Sequence, residues 1–223
     1  MADIILAGST SGAITISAPA VSGTNTLTLP VATDTLVGKA TTDTLTNKSI
    51  VASQLTGTVA AARLPAGSVL QVVSTTKTSI YSVTTTATPT AITGLSVSIT
   101  PASASNKILV FGQVTGSVSA TTYGYSYYIY KDASVLTGAT GDAANSQGRA
   151  TSSIYTSYVA SSQTVPFTYL DSPATTSAIT YAIYSTHENP GGATFYVNRS
   201  ANATIHGGST NDISTITVME IQG

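Results

Sequence analysis

The sequence carries unusually little charge, with eight Lys or Arg and nine Asp or Glu among 223 residues. Charged residues make up 8% of the chain, against roughly 25% in an ordinary globular domain. Its 30 Ser and 41 Thr therefore have to supply most of the water-facing surface. The scarcity of Glu and Lys excludes a helical bundle, and the abundance of Thr, Val, Ile and Tyr favours an all-β fold.

Other features that the sequence lacks exclude several classes of function. Without cysteine the chain has no disulfide, no thiolate chemistry and no Cys-based zinc site. No stretch gathers enough Lys and Arg to hold nucleic acid, so we expect no DNA or RNA partner. The apolar runs are only a few residues long, far below the ~20 that span a bilayer, which predicts no membrane insertion. No basic region precedes the first apolar run, so a signal peptide is not predicted.

The first third of the chain lacks the residues needed for a core of its own. Residues 13–17 and 25–30 alternate apolar and polar side chains, which predicts two short strands. Residues 31–64 have sparse aliphatic residues and no aromatic residue. One helical turn is predicted within this segment, at residues 61–64. Because so little apolar area cannot stabilise one copy, we predict that several copies wrap around each other as an extended intertwined shaft over residues 1–65.

Residues 66–223 have a different composition and predict a second domain. All twelve Tyr and all three Phe lie here, enough aromatic area for an independent core. Turn residues separate eleven predicted strands, at residues 69–74, 79–84, 95–99, 107–115, 123–130, 134–137, 150–158, 166–170, 178–186, 193–198 and 213–221. This spacing is typical of an antiparallel β-sandwich, which we expect to be jelly-roll-like. The last strand has apolar residues on both faces, so we expect it to be central and buried on both sides.

Three segments resemble structural proteins of tailed bacteriophages. Residues 11–30 read SGAITISAPAVSGTNTLTLP and are similar to the threonine-rich shaft openings of tail fibres. Residues 45–50, LTNKSI, and residues 54–65, QLTGTVAAARLP, resemble the connector before their distal domains. The ending at residues 214–221, STITVMEI, resembles the terminal strand of such fibre tips.

This resemblance implies a homotrimeric tail fibre in the virion. It implies that the N-terminal segment joins other tail or virion proteins and that the C-terminal tip is a receptor-binding domain. The expected receptor is host surface polysaccharide or an outer-membrane protein. Two alternatives stay open: a capsid decoration or tail-assembly protein that never contacts a host, and a tailspike whose tip cleaves polysaccharide.

The sequence offers little for catalysis, and we predict that the protein is not an enzyme and needs no cofactor. His187 and His206 are its imidazoles, and no Gly-x-Ser-x-Gly elbow accompanies them. No metal-binding motif is present, although a trimer axis could triplicate one ligand residue. The acidic residues of the tip are scattered, which leaves open a carboxylate pair for glycoside cleavage. These are Asp132, Asp142, Asp171, Glu188, Asp212 and Glu220.

A tyrosine cluster is the most informative local pattern. Tyr123, Tyr125 and Tyr127 alternate onto one face of a strand, and Tyr128 and Tyr130 take the other. One set is therefore expected at a surface, where tyrosine suits sugar stacking and adaptable contacts. The alternative for these tyrosines is cross-strand packing or subunit contact. The alternative for His187 is a position in an ordinary solvated loop. The predicted receptor-binding residues are Tyr123, Tyr125, Tyr127, Tyr155, Tyr158, His187 and Asn189.

Overall fold

The fold was analysed in a computed structural model of the chain. It describes residues 4–7, 10–16, 24, 49–51, 53, 56–84, 88–120, 124–144, 147–155, 161–187, 193–202 and 210–223. Contacts divide the chain into two compact units, Met1–Thr56 and Gly57–Gly223. The division into a shaft over residues 1–65 and a tip over residues 66–223 stays a prediction.

The described part of the first unit contains one β-hairpin. Strand β1 (Ile4–Ala7) pairs antiparallel with β2 (Ala13–Ile16), with Ile4 opposite Ile16 and Leu6 opposite Ile14. Ile5 is 66% exposed. Strand β2 confirms the first predicted strand within its described residues, whereas the prediction at residues 25–30 lies outside the described residues.

The second unit is an antiparallel sandwich of two sheets. Its strands are β3 (Val69–Lys77), β4 (Tyr81–Thr84), β5 (Thr90–Ile99), β6 (Lys107–Val118), β7 (Gly124–Lys131), β8 (Ser134–Val135), β9 (Ser152–Tyr155), β10 (Gln163–Asp171), β11 (Ile179–His187), β12 (Thr194–Val197) and β13 (Ser214–Ile221). Sheet one has the order β3-β13-β6-β12-β4, with β10 on the other edge of β6. Sheet two has the order β5-β11-β7-β8, with β9 also paired to β7. This confirms the all-β, sandwich-like prediction.

All eleven strands predicted for the tip form, although their ends differ. The largest difference is in β5, which begins at Thr90 rather than at residue 95 because a bulge carries it past Gly94. Gly94 has φ +81°, a conformation that glycine adopts without steric cost. The predicted helical turn is confirmed as a 3₁₀ turn at Ala61–Arg63. None of the helices among the described residues has the length and apolarity to cross a bilayer.

The core lies between the inner faces of the two sheets. Its buried side chains form one continuous cluster, made of Ile92, Leu95, Val97, Ile99, Ile108, Val110, Val114, Val118, Tyr125, Tyr127, Ile129, Ile154, Phe167, Ile179, Tyr181, Ile183, Phe195, Val197, Ile216 and Val218. The strands that form this cluster contribute mainly alternate residues, because successive side chains point to opposite faces. Strand β13 is central, between β3 and β6, as predicted. Its outer face is only half-buried, so the prediction of burial on both sides is wrong for the single chain.

Along one of its edges, strand β6 pairs first with β13 and then with β12. Polar side chains form a junction between these two partners. The first part of β6 pairs with β13 up to Gln113, and its last part pairs with β12 from Gly116. Between them, Ser214 Oγ donates to Asn198 Oδ1 at 2.7 Å and accepts from the Thr115 amide at 3.0 Å. Asn198, at φ +60°, also donates to the Lys77 carbonyl at 2.8 Å. This junction holds the ends of three strands together.

Candidate functional site

The structure buries three of the residues predicted to contact a receptor. Tyr125, Tyr127 and His187 are 0%, 2% and 1% exposed. The Tyr125 ring packs 4.6 Å from Phe195 and meets His187 edge-on at 5.1 Å, and its hydroxyl donates to the Ala193 carbonyl at 2.9 Å. Burial, and then the neighbouring Tyr125, raises the pKa of Tyr127 well above its usual value.

The burial of Tyr125 and Tyr127 bears on which of the two tyrosine sets on β7 could contact a receptor. Tyr125 and Tyr127 share a strand face with the core residue Ile129, so they pack across the sandwich and present no surface to a receptor. Tyr123, Tyr158 and Asn189 lie outside the described residues. Tyr155 is 63% exposed, as a receptor contact requires. The set on the outer face of β7 is therefore the other one, Tyr128 and Tyr130, and both side chains are half-buried.

We call the outer surface formed by Tyr128, Tyr130, Tyr155 and Tyr184 the tyrosine face. On β7 and β11, Tyr128 lies directly opposite Tyr184, and Tyr130 lies opposite Ala182. Tyr155 lies on the same side of sheet two, opposite Gly124 on the β9 edge. Strands thus hold all four rings, which fixes their backbone positions better than a loop does.

Tyr130 and Tyr184 form the centre of this face. Their rings stack with centroids 3.7 Å apart and planes inclined by 14°. Ala182, opposite Tyr130, leaves room for this diagonal contact because its side chain is small. Burial, and then the neighbouring Tyr184, raises the pKa of Tyr130. The pair is a neutral, rigid aromatic surface.

Hydroxyl groups surround the stacked pair. Ser96 lies opposite Ala182, and Ser98 lies opposite Thr180 on β11. Ser98 Oγ and Thr180 Oγ1 share a hydrogen bond of 2.8 Å, and both residues are exposed. On the other side Val135, which is 39% exposed, lies opposite Tyr130. The face therefore offers flat apolar rings beside exchangeable hydrogen-bonding groups, which suits a sugar ring with one apolar and several hydroxylated edges.

Two of the acidic residues of the tip, Asp171 and Glu220, are buried and engaged in internal hydrogen bonds. Asp171 is buried, where its Oδ2 accepts from Tyr181 at 2.7 Å and from Lys131 at 3.0 Å. Burial and the hydrogen bond to Asp171 raise the pKa of Tyr181. Glu220 is 0% exposed and bonded to neighbouring amides. Within the described residues, no group of three His, Cys, Asp or Glu could hold a metal ion.

Comparisons with known proteins show no family. No protein-family model matches the chain, and no curated protein matches it. Among solved structures, it is similar at 12% identity to a chain in "Structure of infectious bursal disease virus Gx strain". The TM-score is 0.33, and the match covers 75% of this chain and 46% of that chain. The chain thus spans less than half of that protein, and the likeness is too low to establish a shared function.

Sequence reasoning did not include Tyr184 among the candidate site residues. The usable signal is in the neighbours of each tyrosine set. Tyr128 and Tyr130 share their face of β7 with Gly124 and Ser126, and Tyr184 shares its face of β11 with Ala182 and Thr180. Small and polar neighbours mark the outer face of a sheet, whereas aliphatic neighbours mark the inner one.

Proposed function

We propose that this protein is a virion structural protein that works as a tail fibre and adheres to the host cell surface through the tyrosine face. The observation that carries the proposal is the stacked, half-buried pair Tyr130 and Tyr184 on a nearly uncharged, hydroxyl-rich sheet surface. The resemblance of residues 11–30 to tail-fibre shaft openings, and of residues 45–50 and 54–65 to the connector before the distal domains, supports the virion context. We propose binding and not catalysis.

The proposed mechanism is multivalent attachment. Each tyrosine face binds surface polysaccharide weakly, since stacking and a few hydroxyl hydrogen bonds contribute little in water. Three faces on a homotrimer, and several fibres on a particle, then raise the overall affinity through effective concentration. The scarcity of charge fits this use, because polysaccharide is engaged without strong electrostatic steering.

The first prediction concerns the stacked pair. Labelled full-length protein is applied to a panel of bacterial isolates with different surface polysaccharides, and bound fluorescence is measured with excess unlabelled protein as competitor. We expect competable staining of at least one isolate. In the double variant Tyr130→Ala and Tyr184→Ala, staining of that isolate should fall by at least about tenfold, because each lost contact is multiplied across the trimer.

A matched variant controls for the loss of a tyrosine as such. Tyr196 is half-buried on sheet one, away from the tyrosine face, so Tyr196→Ala should leave staining unchanged. Circular dichroism must show that every variant is folded. If no isolate is stained, or if the double variant stains like the parent, the tyrosine face is not the adhesive surface. Capture of virion subunits by a protein that stains no isolate would favour the decoration alternative.

The second prediction concerns assembly. We expect the full-length protein to sediment as a trimer at micromolar concentration, because residues 31–64 have too little apolar area to fold alone. Removing the first 56 residues should lower the sedimented mass toward that of one chain or weaken the trimer. A folded full-length monomer under these conditions would contradict both the shaft and the fibre.

A further inference from the structure

The outer face of sheet one carries a row of apolar side chains that crosses four neighbouring strands. Val72 on β3, Met219 on β13, Leu109 on β6 and Leu170 on β10 lie opposite one another in turn. Val72 is 53% exposed and Leu170 47%, and the two residues between them are half-buried. Together with the neighbouring outer residues of β6 and β13, the row forms what we call the apolar face: Val72, Leu109, Phe111, Leu170, Met219 and Ile221.

The outer face of sheet two has a different composition. On β5, β7 and β11 its residues are glycine, alanine, serine, threonine and tyrosine, with no larger aliphatic side chain. A face of an antiparallel sheet that meets water is normally polar, so aliphatic residues on both sides of a strand indicate that both sides are covered. Strand β13 has Ile216 and Val218 on its inner side and Met219 and Ile221 on its outer side. Sheet one therefore has the outer surface that is suited to burial against protein.

Charge is nearly absent from the apolar face and its surroundings. On the outer sides of β3, β13, β6 and β10, which are described throughout, Lys107 is the one charged residue, and it lies at a corner opposite Ile221. Ser74, Thr217 and Thr168 lie in the next row of the sheet. An apolar centre with a polar, uncharged border is typical of the middle of a protein interface. A charged partner does not match this surface, whereas the same surface of another copy does.

The size of the apolar face decides what kind of contact it can make. Strands lie about 4.8 Å apart and alternate residues about 6.8 Å apart, so each outer residue covers about 33 Å² and the six together about 200 Å². A stable interface of standard size takes about 800 Å² from each partner. The face is therefore too small to hold two free chains together. It can act only between copies that another segment already keeps at a high effective concentration.

The position of the face in the chain agrees with such tethering. Val69, the first residue of β3, lies opposite Ile221 and follows Pro65, where the proposed shaft ends, by four residues. Beside it the Gln222 amide donates to the Ser68 carbonyl at 2.8 Å, so the first and last strands of the domain meet there. Four residues span at most about 14 Å. Chains that leave a common shaft at Pro65 thus bring their apolar faces close together.

We propose that the apolar face packs against the apolar faces of two further copies of this chain, around the threefold axis where the tips leave the shaft. This inference rests on the proposed homotrimer and adds the orientation of each tip within it. The outer surfaces of the two sheets lie on opposite sides of the sandwich. The three tyrosine faces therefore point away from the axis, toward the host surface.

The test introduces cysteines into the full-length protein, which has none of its own. The double variant Val72→Cys and Leu170→Cys is treated with bis(maleimido)ethane at micromolar protein and analysed on a denaturing gel. The two positions lie three strand spacings, about 14 Å, apart in one chain, which exceeds the reach of this reagent, so links form between chains. We expect at least about tenfold more linked chains than in the control pair, because contacting copies present their thiols at millimolar effective concentration.

The control pair is Ser98→Cys and Val135→Cys, at exposed positions on the outer side of sheet two that are also three strands apart. It should remain almost entirely as single chains, and circular dichroism must show that both variants are folded. If the first pair links no more than the control in a protein that sediments as a trimer, the tips do not meet through the apolar face, although the shaft stands. Equal linking of both pairs also overturns the proposed orientation. A folded monomer overturns the fibre and this contact together.

Discussion

Replacing Glu220 with alanine is expected to lower the free energy of unfolding by about 4 kcal/mol, because it leaves several buried donors without an acceptor. Glu220 Oε1 accepts from the Ala102 amide and from Asn106 Nδ2, both at 2.6 Å. Its Oε2 accepts from Gln71 Nε2 at 2.6 Å. The carboxylate thus joins β13, β3 and the turn between β5 and β6. Urea unfolding followed by circular dichroism measures the loss.

The same group predicts how stability responds to acid. Burial alone would raise the pKa of Glu220, but hydrogen bonds from Asn106, Gln71 and the amides of Ala102 and Ser103 outweigh it and lower the pKa. Its contribution is therefore fully present above the unfolded pKa, near 4.3, and is lost as pH falls through the lower folded pKa. We therefore expect the free energy of unfolding of the parent protein to fall as the pH drops below about 4.3.

The variant Glu220→Gln separates charge from shape. It keeps the side-chain length but places an amide donor against donors, so we expect a loss at neutral pH and a flatter acid dependence than in the parent. Asp142→Asn, a change at an exposed carboxylate, is the control and should keep the parent profile. An acid profile unchanged by Glu220→Gln would show that the stabilising carboxylate is another one.

The strands could be predicted from the sequence because their signal is local. In β13, Ile216 and Val218 alternate with Thr215 and Thr217, and this period of two places one face on the core whatever the neighbouring strands are. Strand ends were less predictable where the backbone departs from the regular period. At Gly94 the chain bulges and then pairs again, so a pattern that stops at glycine misses the first residues of β5.

The candidate sites were harder to predict because they depend on contacts between distant segments. Alternation separated the two tyrosine sets on β7, but which set faces inward depends on the strand across the sandwich. A shallow polar depression on the outer face of sheet one is likewise lined by three segments, around residues 113–115, 164 and 211–213. It forms where the pairing along β6 passes from β13 to β12, between Gln113 and Gly116. The periodicity of a single segment does not show this change of pairing partner.

Gly116 makes room for the aromatic side chains on which Tyr125 and Tyr127 pack, and replacing it is expected to have a large effect on stability. Gly116 faces the core on β6, and the Phe195 ring covers it. Tyr125 and Tyr127 then pack against Phe195, with ring centroids 4.6 and 5.5 Å away. The missing side chain at Gly116 thus leaves the space that Phe195 fills, and Phe195 forms the surface on which the inner tyrosine set packs.

Gly116→Ala is therefore expected to destabilise the domain by about 3 kcal/mol or more, since overpacking a core with no free volume forces side chains and backbone to move. The added Cβ would overlap the Tyr196 carbonyl oxygen and lie 2.7 Å from Phe195 Cε2. Because β12 is paired on both edges, the carbonyl cannot shift alone. For a domain of this size the melting temperature should fall by roughly 10 °C.

Thermal unfolding and near-ultraviolet circular dichroism test this expectation together. The tyrosine signal should weaken as Phe195 and Tyr125 lose their packing, even where the far-ultraviolet β signal survives. Gly141→Ala is the matched control, because its Cβ would come no closer than 4.0 Å to the Ala150 carbonyl oxygen. Parent-like stability in Gly116→Ala would mean that β12 does not approach β6 this closely. The packing of Tyr125 on Phe195 would then not depend on the missing side chain at Gly116.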